Sequence, residues 1–188
     1  DGAPSHPLAY AKTGAVYPGG TVYVATRRTP ANYYGYNATN LTARTNTTFP
    51  ADSFHRQIYD QFPYNGSNYV LFHLTSTNYV SRISQATMEN VDVITNDNTL
   101  TLAFSMCQAG GRIFVSGTAA SDGVSLQVNS FNITNGTILE SLTLTGYEPG
   151  AIIRSDGTNV FVMGAVTTNK LFYSLRFSPT NLAGYTLV

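Results

Sequence analysis

The sequence is poor in most features that mark a functional class. It has one cysteine, Cys107, and no tryptophan. A single thiol excludes an internal disulfide, and the three histidines add no Cys/His metal-ligand pattern. Charge is scarce too. Ten basic and ten acidic residues make up 11% of the chain, against about a quarter in an average domain, and they cancel. Beyond Arg27-Arg28 there is no basic cluster, so the electrostatic footprint of a nucleic-acid binder is missing. A Lys/Arg-rich amphipathic stretch for a membrane surface is also missing. No apolar run reaches the 18 residues that would mark a membrane-spanning helix. There is no G-x-S-x-G elbow, P-loop, H-E-x-x-H or dinucleotide glycine fingerprint. No segment reads as a signal peptide, and the start at Asp1-Gly2-Ala3-Pro4 fits a processed product.

What is present is neutral polarity and β-formers. Hydrophobic residues make up 43%, which excludes a disordered polar chain. Solubility must come from Ser, Thr, Asn and 13 tyrosines. Such a surface suits a chain exposed outside the cell, where attached sugar can add to solvation. Helical periodicity is nearly absent. Thr, Val, Tyr, Phe and Ile instead form short alternating runs bounded by Gly, Asn, Asp and Pro, the pattern of an all-β protein.

These runs recur. T-V-Y-V-A-T, N-Y-V-L-F-H-L, R-I-F-V-S-G and N-V-F-V-M-G begin their apolar parts at Val22, Tyr69, Ile113 and Val160, separated by 47, 44 and 47 residues. Each follows a turn signal: Gly19-Gly20, Asn65-Gly66-Ser67-Asn68, Gly110-Gly111 and Asp156-Gly157-Thr158-Asn159. The flanks of the last two anchors rhyme, giving four strands per unit of about 46 residues. The first unit carries what reads as a long polar insert, roughly residues 32–52. The expected organisation is one all-β domain of four repeats, approximately 10–57, 58–99, 100–145 and 146–188. Residues 1–10, with Pro4 and Pro7, are read as an arm able to add to a neighbour's sheet edge.

On these units the chain resembles β-propeller repeat proteins, whose blades are four antiparallel strands. No Trp-Asp or kelch signature is present, so no particular propeller family is singled out. The resemblance implies a fold and no activity. The alternative architecture is a β-sandwich or jelly roll, whose hairpins also recur at regular spacing. Running from Val188 back to Asp1, the next anchor would follow Val160 by 50 residues, so the ends continue the series. That suits a closed four-unit ring, half of a larger ring, or a head-to-tail polymer.

Six N-glycosylation acceptor patterns occur, at Asn37, Asn40, Asn46, Asn65, Asn132 and Asn135, about twice the number expected from composition. All six are expected in loops or turns. Asn135-Gly136, between two alternating apolar runs, also reads as a hairpin turn.

Candidates for catalysis are weak. His6 stands alone. His55 lies near Asp52 and Arg56 in a predicted loop, and His73 ends a predicted inner strand; both read best as structural or solvated. Cys107 in L-A-F-S-M-C-Q reads as a small buried hydrophobe. Asp92, Asp97 and Asp122 lack the spacing of a calcium loop. No catalytic residue, metal site or cofactor is expected. Tyr33, Tyr34 and Tyr36, in A-N-Y-Y-G-Y-N, form an aromatic cluster read as a loop able to contact a ligand or a neighbouring subunit. The expected function is that of a non-enzymatic, secreted, N-glycosylated structural or adhesive module at the cell surface. Its partners would be copies of itself, in a filament, sheath or surface layer. The alternative is a carbohydrate-binding, lectin-like module. Neither nucleic acid nor membrane insertion is expected.

Overall fold

The computed structural model describes the backbone of residues 11–17, 21–26, 32–37, 43–48, 57–74, 77–87 and 89–188, and the side chains of residues 59–71, 80–87, 89–95 and 98–188. Among the described residues the chain forms sixteen strands and no helix. The first sheet contains β1 (Ala11–Tyr17), β2 (Thr21–Thr26), β3 (Asn32–Asn37) and β4 (Ala43–Thr48). The second contains β5 (Gln57–Tyr64), β6 (Ser67–Leu74), β7 (Thr77–Ser84) and β8 (Asn90–Asp97). The third contains β9 (Leu100–Ala109), β10 (Arg112–Ala119), β11 (Leu126–Asn132) and β12 (Ile138–Leu144). The fourth contains β13 (Ile152–Ser155), β14 (Val160–Ala165), β15 (Phe172–Ser178) and β16 (Asn181–Leu187). Each sheet is an antiparallel meander in chain order.

The four apolar anchors all fall in the second strand of a sheet, in β2, β6, β10 and β14. The uneven 44-residue step has a physical meaning. Tyr69 and Ile113 share the core between the second and third sheets, so Tyr69 faces forward and Ile113 faces back. Val160 faces back as well, into the core between the third and fourth sheets. A one-residue slip in a strand exchanges its faces.

Turn chemistry sets the hairpins. Asn65 and Gly66 both take positive φ (46° and 69°) between paired Tyr64 and Ser67. This is the two-residue turn that the strand twist favours. Asn135-Gly136 also lies in a hairpin connection, but a longer one. The Asn132 N–H donates to Thr137 O, and only Gly136 (φ 68°) is left-handed.

The polar insert of the first unit is two strands. Tyr33, Tyr34 and Tyr36 lie in β3, paired with Ala25, Val24 and Val22. Tyrosine is a strong strand former, and the Thr-rich β4 segment is compatible with a sheet's outermost strand. Its polarity had concealed this. Residues 1–10 and His55 lie outside the described residues. The backbone of His73 lies in β6, the second strand of its sheet and not the innermost.

The sheets stack face to face. Met106, Ile113, Val115 and Phe131 pack on Tyr69, Leu71 and Val80 of the second sheet. Phe114, Leu126, Val128 and Leu144 pack on Ile153, Val162, Leu175 and Phe177 of the fourth. Seven of the eight residues of β10 are therefore buried, because both its faces are covered. β15 alternates between exposed and buried, because only one of its faces is covered. The first strands form the inner series: β5 packs on β1 and β9, and β13 packs on β9.

Candidate functional site

Two inner strands carry a bulge at the same level. The register shifts between Ile58 and Asp60 in β5, and between Ser105 and Ala103 opposite β10. A bulge leaves one residue unpaired and re-aims its neighbours. The residues that the register skips here, Tyr59 and Phe104, pack edge to face at 6.3 Å and 88°. Their neighbours Asp60 and Ser105 meet Arg154 of β13. Asp60 Oδ2 accepts from Ser105 Oγ (2.8 Å), the Met106 N–H (3.0 Å) and Arg154 Nη1 (2.8 Å). Arg154 Nη1 also donates to Ser105 Oγ (2.7 Å) and to Ile153 O (2.6 Å). One polar knot thus joins the inner strands of three successive sheets.

Its chemistry is that of a tie. The Ser105 hydroxyl gives its proton to Asp60 and accepts from Arg154 and from the Ile153 N–H (3.3 Å), so its lone pairs are engaged. Beside it, Cys107 and Gln108 line a cavity of about 250 Å³ with Asp60 and Arg154. Burial pushes the Cys107 thiol up to about 12; Arg154 works against this and Asp60 with it. At neutral pH the thiol stays protonated and is a poor nucleophile. Asp122 and Asp156 cap turns, accepting from Val124 and Ser125 N–H and from Thr158 and Asn159 N–H. Among the described residues no group of three His, Cys, Asp or Glu side chains comes together for a metal.

Sequence reasoning missed Asp60, Ser105 and Arg154. They lie 45 and 49 residues apart, close to the repeat length, and that spacing was the available signal.

The acceptor asparagines do not all occupy loops. The backbone of Asn37 lies in β3 opposite Thr21, and that of Asn46 lies within β4 opposite Tyr34. Asn132 is the last residue of β11 and is half-buried. Asn and Thr are spelled alike in turns and in outer strands, so the sequence could not separate them. Asn65 and Asn135 are exposed at hairpin connections. Asn135 Oδ1 accepts from the Thr137 N–H (3.1 Å) and Oγ1 (2.9 Å), which aligns the acceptor with its hydroxyl residue. Asn40 lies outside the described residues, as do the side chains of Tyr33, Tyr34 and Tyr36.

The fourth sheet has a bare face. Ile152, Met163 and Ser174 line up across β13, β14 and β15, with Phe172 opposite Ala165. Phe172 is 91% exposed, Ile152 50% and Met163 40%. Together with Val188 they border a cleft of about 650 Å³. The Glu148–Lys170 ion pair flanks it, with Glu148 in the lining. Tyr173, 7% exposed, reaches the cleft beside Gly164, where any Cβ would lie 2.8 Å from its hydroxyl. That hydroxyl has no hydrogen-bond partner.

No family model matches the chain, and no curated protein is significantly similar to it. Solved structures do match. BamB from Moraxella catarrhalis is 11% identical over 94% of this chain and 50% of its own, with a TM-score of 0.58. TolB from Acinetobacter baumannii is 13% identical over 94% and 43%, with a TM-score of 0.63. The β-propeller domain of the Trilobed protease from Pyrococcus furiosus is 9% identical over 95% and 57%, with a TM-score of 0.61.

The fold is that of a β-propeller.

Its four sheets are blades, and a two-sheet sandwich is excluded. At these identities the likeness carries the fold alone. The chain spans about half the length of the solved structures it matches.

Proposed function

We propose that this chain is a non-enzymatic, secreted, N-glycosylated structural or adhesive module that associates with copies of itself. The observation that carries this reading is the bare apolar face of the fourth blade. Phe172, Ile152, Met163 and Val188 are contiguous there, and apolar patches of this kind mark interaction surfaces. Two observations support the rest. The inner-strand knot has its hydroxyl and carboxylate engaged, as in a tie between blades. Asn65 and Asn135 stand exposed at hairpin connections, where sugar can be added without unfolding a sheet.

Light scattering on the native protein across a concentration range, with glycopeptide mapping at the six asparagines, tests the reading. Association beyond the 20.3 kDa chain, with sugar on Asn65 and Asn135 and none on half-buried Asn132, is the expected result. A monomer at every concentration overturns the assembly, and bare asparagines overturn the extracellular placement. The carbohydrate-binding alternative rests on Tyr33, Tyr34 and Tyr36; a glycan array without binders removes it.

A further inference from the structure

The second and third blades meet at a cleft beside their outer strands. The connection 132–137 between β11 and β12 of the third blade lies against β8 of the second. Gly136 sits so close there that a Cβ would be 1.8 Å from the Val93 carbonyl oxygen. Beside this contact opens a cleft of about 280 Å³, roomy enough for one sugar ring. Ile94 and Thr95 of β8 form its wall in the second blade, and Phe131 and Ile138 its wall in the third. Asn98 stands at the cleft in the link from β8 to β9.

Asn135 lines the same cleft. Its carboxamide is held in one orientation, because Oδ1 accepts from both the Thr137 N–H (3.1 Å) and the Thr137 Oγ1 (2.9 Å). Both bonds fall on the oxygen, so Nδ2, the atom that carries an attached sugar, takes no part in them. The backbone around it is tied as well. The Gly136 N–H donates to Asn132 O (2.8 Å), and the Asn132 N–H donates to Thr137 O (2.8 Å). A sugar on Asn135 therefore starts from a fixed anchor at the wall of a cleft.

The chemistry of the cleft suits the first ring of such a sugar. A hexosamine has an apolar C–H face and a rim of hydroxyl and acetamido groups. Half-exposed Ile138 and the edges of buried Ile94 and Phe131 supply apolar surface. Thr95 and Asn98, both exposed, supply a hydroxyl and an amide. Sites that take small ligands combine an apolar lining with a few polar groups in this way. A group that is already attached loses little further freedom on seating, and its effective concentration is high. Contacts too weak to hold a free sugar therefore suffice.

We propose that the first sugar of an N-glycan on Asn135 seats in this cleft and covers the seam between the second and third blades. This rests on the glycosylation proposed above and adds where the sugar goes. Attachment forms a C–N bond at Nδ2, which gives up one proton. It breaks the bond from the anomeric carbon to the leaving group of an activated glycosyl donor, which departs with the electron pair. Asn65 is the contrast: it stands exposed in a two-residue turn, beside a smaller cleft of about 190 Å³.

A peptide-N-glycosidase cuts the bond from Nδ2 to the first sugar, so its rate reads whether that sugar can be reached. The test is digestion of the native glycoprotein without denaturant, with release at each asparagine followed by mass spectrometry. Release from Asn135 should be about five- to tenfold slower than from Asn65, the occupancy that one net hydrogen bond gives a tethered group. The gap should close in denatured protein. Ile138→Ser and Asn98→Ala alter exposed side chains of the cleft; each should leave the circular dichroism unchanged and bring the Asn135 rate up toward that of Asn65. Equal release from the native protein would overturn the seat and leave glycosylation standing. Slow release that persists in both variants, or in denaturant, would overturn it too, since the protection would then come from elsewhere. Sugar on Asn65 with none on Asn135 would overturn this inference alone. Two bare asparagines would overturn it together with the glycosylation beneath it.

Discussion

Replacing Asp60 by alanine should destabilise the protein more than any other change to the inner-strand knot. The magnitude follows from burial. The Asp60 side chain is 13% exposed and holds two donors that have little access to water, Ser105 Oγ and the Met106 N–H. Hydrogen bonds to an ionised group contribute roughly 1.5–3 kcal/mol each, so losing both costs about 3–6 kcal/mol. The third partner adds little. The Arg154 side chain is 52% exposed, and a screened pair of that kind is worth about 0–1 kcal/mol. Asp60→Asn keeps one acceptor oxygen and loses the charge assistance, so it should cost about 1–2 kcal/mol. Arg154→Ala should cost about 1 kcal/mol or less. Urea unfolding followed by tyrosine fluorescence and circular dichroism measures all three, since the chain has 13 tyrosines and no tryptophan. If Asp60→Ala costs less than about 1 kcal/mol, or if Arg154→Ala costs as much as Asp60→Ala, the knot does not tie the blades as described.

Gly136→Ala places a Cβ 1.8 Å from Val93 O at a φ of 68°, so the hairpin connection must leave its seat against β8; a loss of at least about 2 kcal/mol in denaturant unfolding is expected. Cys107, buried and with its thiol raised to about 12, should ignore a thiol reagent at pH 8 in the folded protein and react at once in denaturant; rapid labelling of native protein would refute its burial. Hydrogen bonds hold Asp122 and Asp156 below the ordinary value of 3.8, the Ser125 hydroxyl contributing most at Asp122 and the Asn159 N–H most at Asp156. A depressed carboxyl stabilises the fold fully above its unfolded value, and that contribution is lost as pH falls through the lower folded values. Asp156→Asn should therefore flatten the acid limb of the stability profile below about pH 4, and an unchanged limb would show that its turn contributes nothing.

Much of the fold was legible in the sequence, because a period is a local property. Turn residues such as Gly110-Gly111 and Asn65-Gly66 punctuate the chain wherever it folds, and the alternation between them needs only the pleat. The anchors at Val22, Tyr69, Ile113 and Val160 therefore marked the second strand of every blade. Where polar residues build strands the reading failed. Tyr33 to Tyr36 and Asn46 were placed in a loop, because an outer strand of the sheet needs no apolar pattern to be stable.

What the sequence determined by itself is the repeat, the all-β class and the scarcity of charge, all of which follow from residue types and their spacing. Tertiary structure decided the rest. The meeting of Asp60, Ser105 and Arg154 depends on three inner strands packing side by side, and the sequence carries only their near-repeat spacing. The bare face of Phe172, Ile152 and Met163 depends on the same stacking. Their counterparts in the third blade, Phe114, Leu126 and Val128, are core. Among the described residues the third sheet covers only one face of the fourth, and that position turns its other face into a surface.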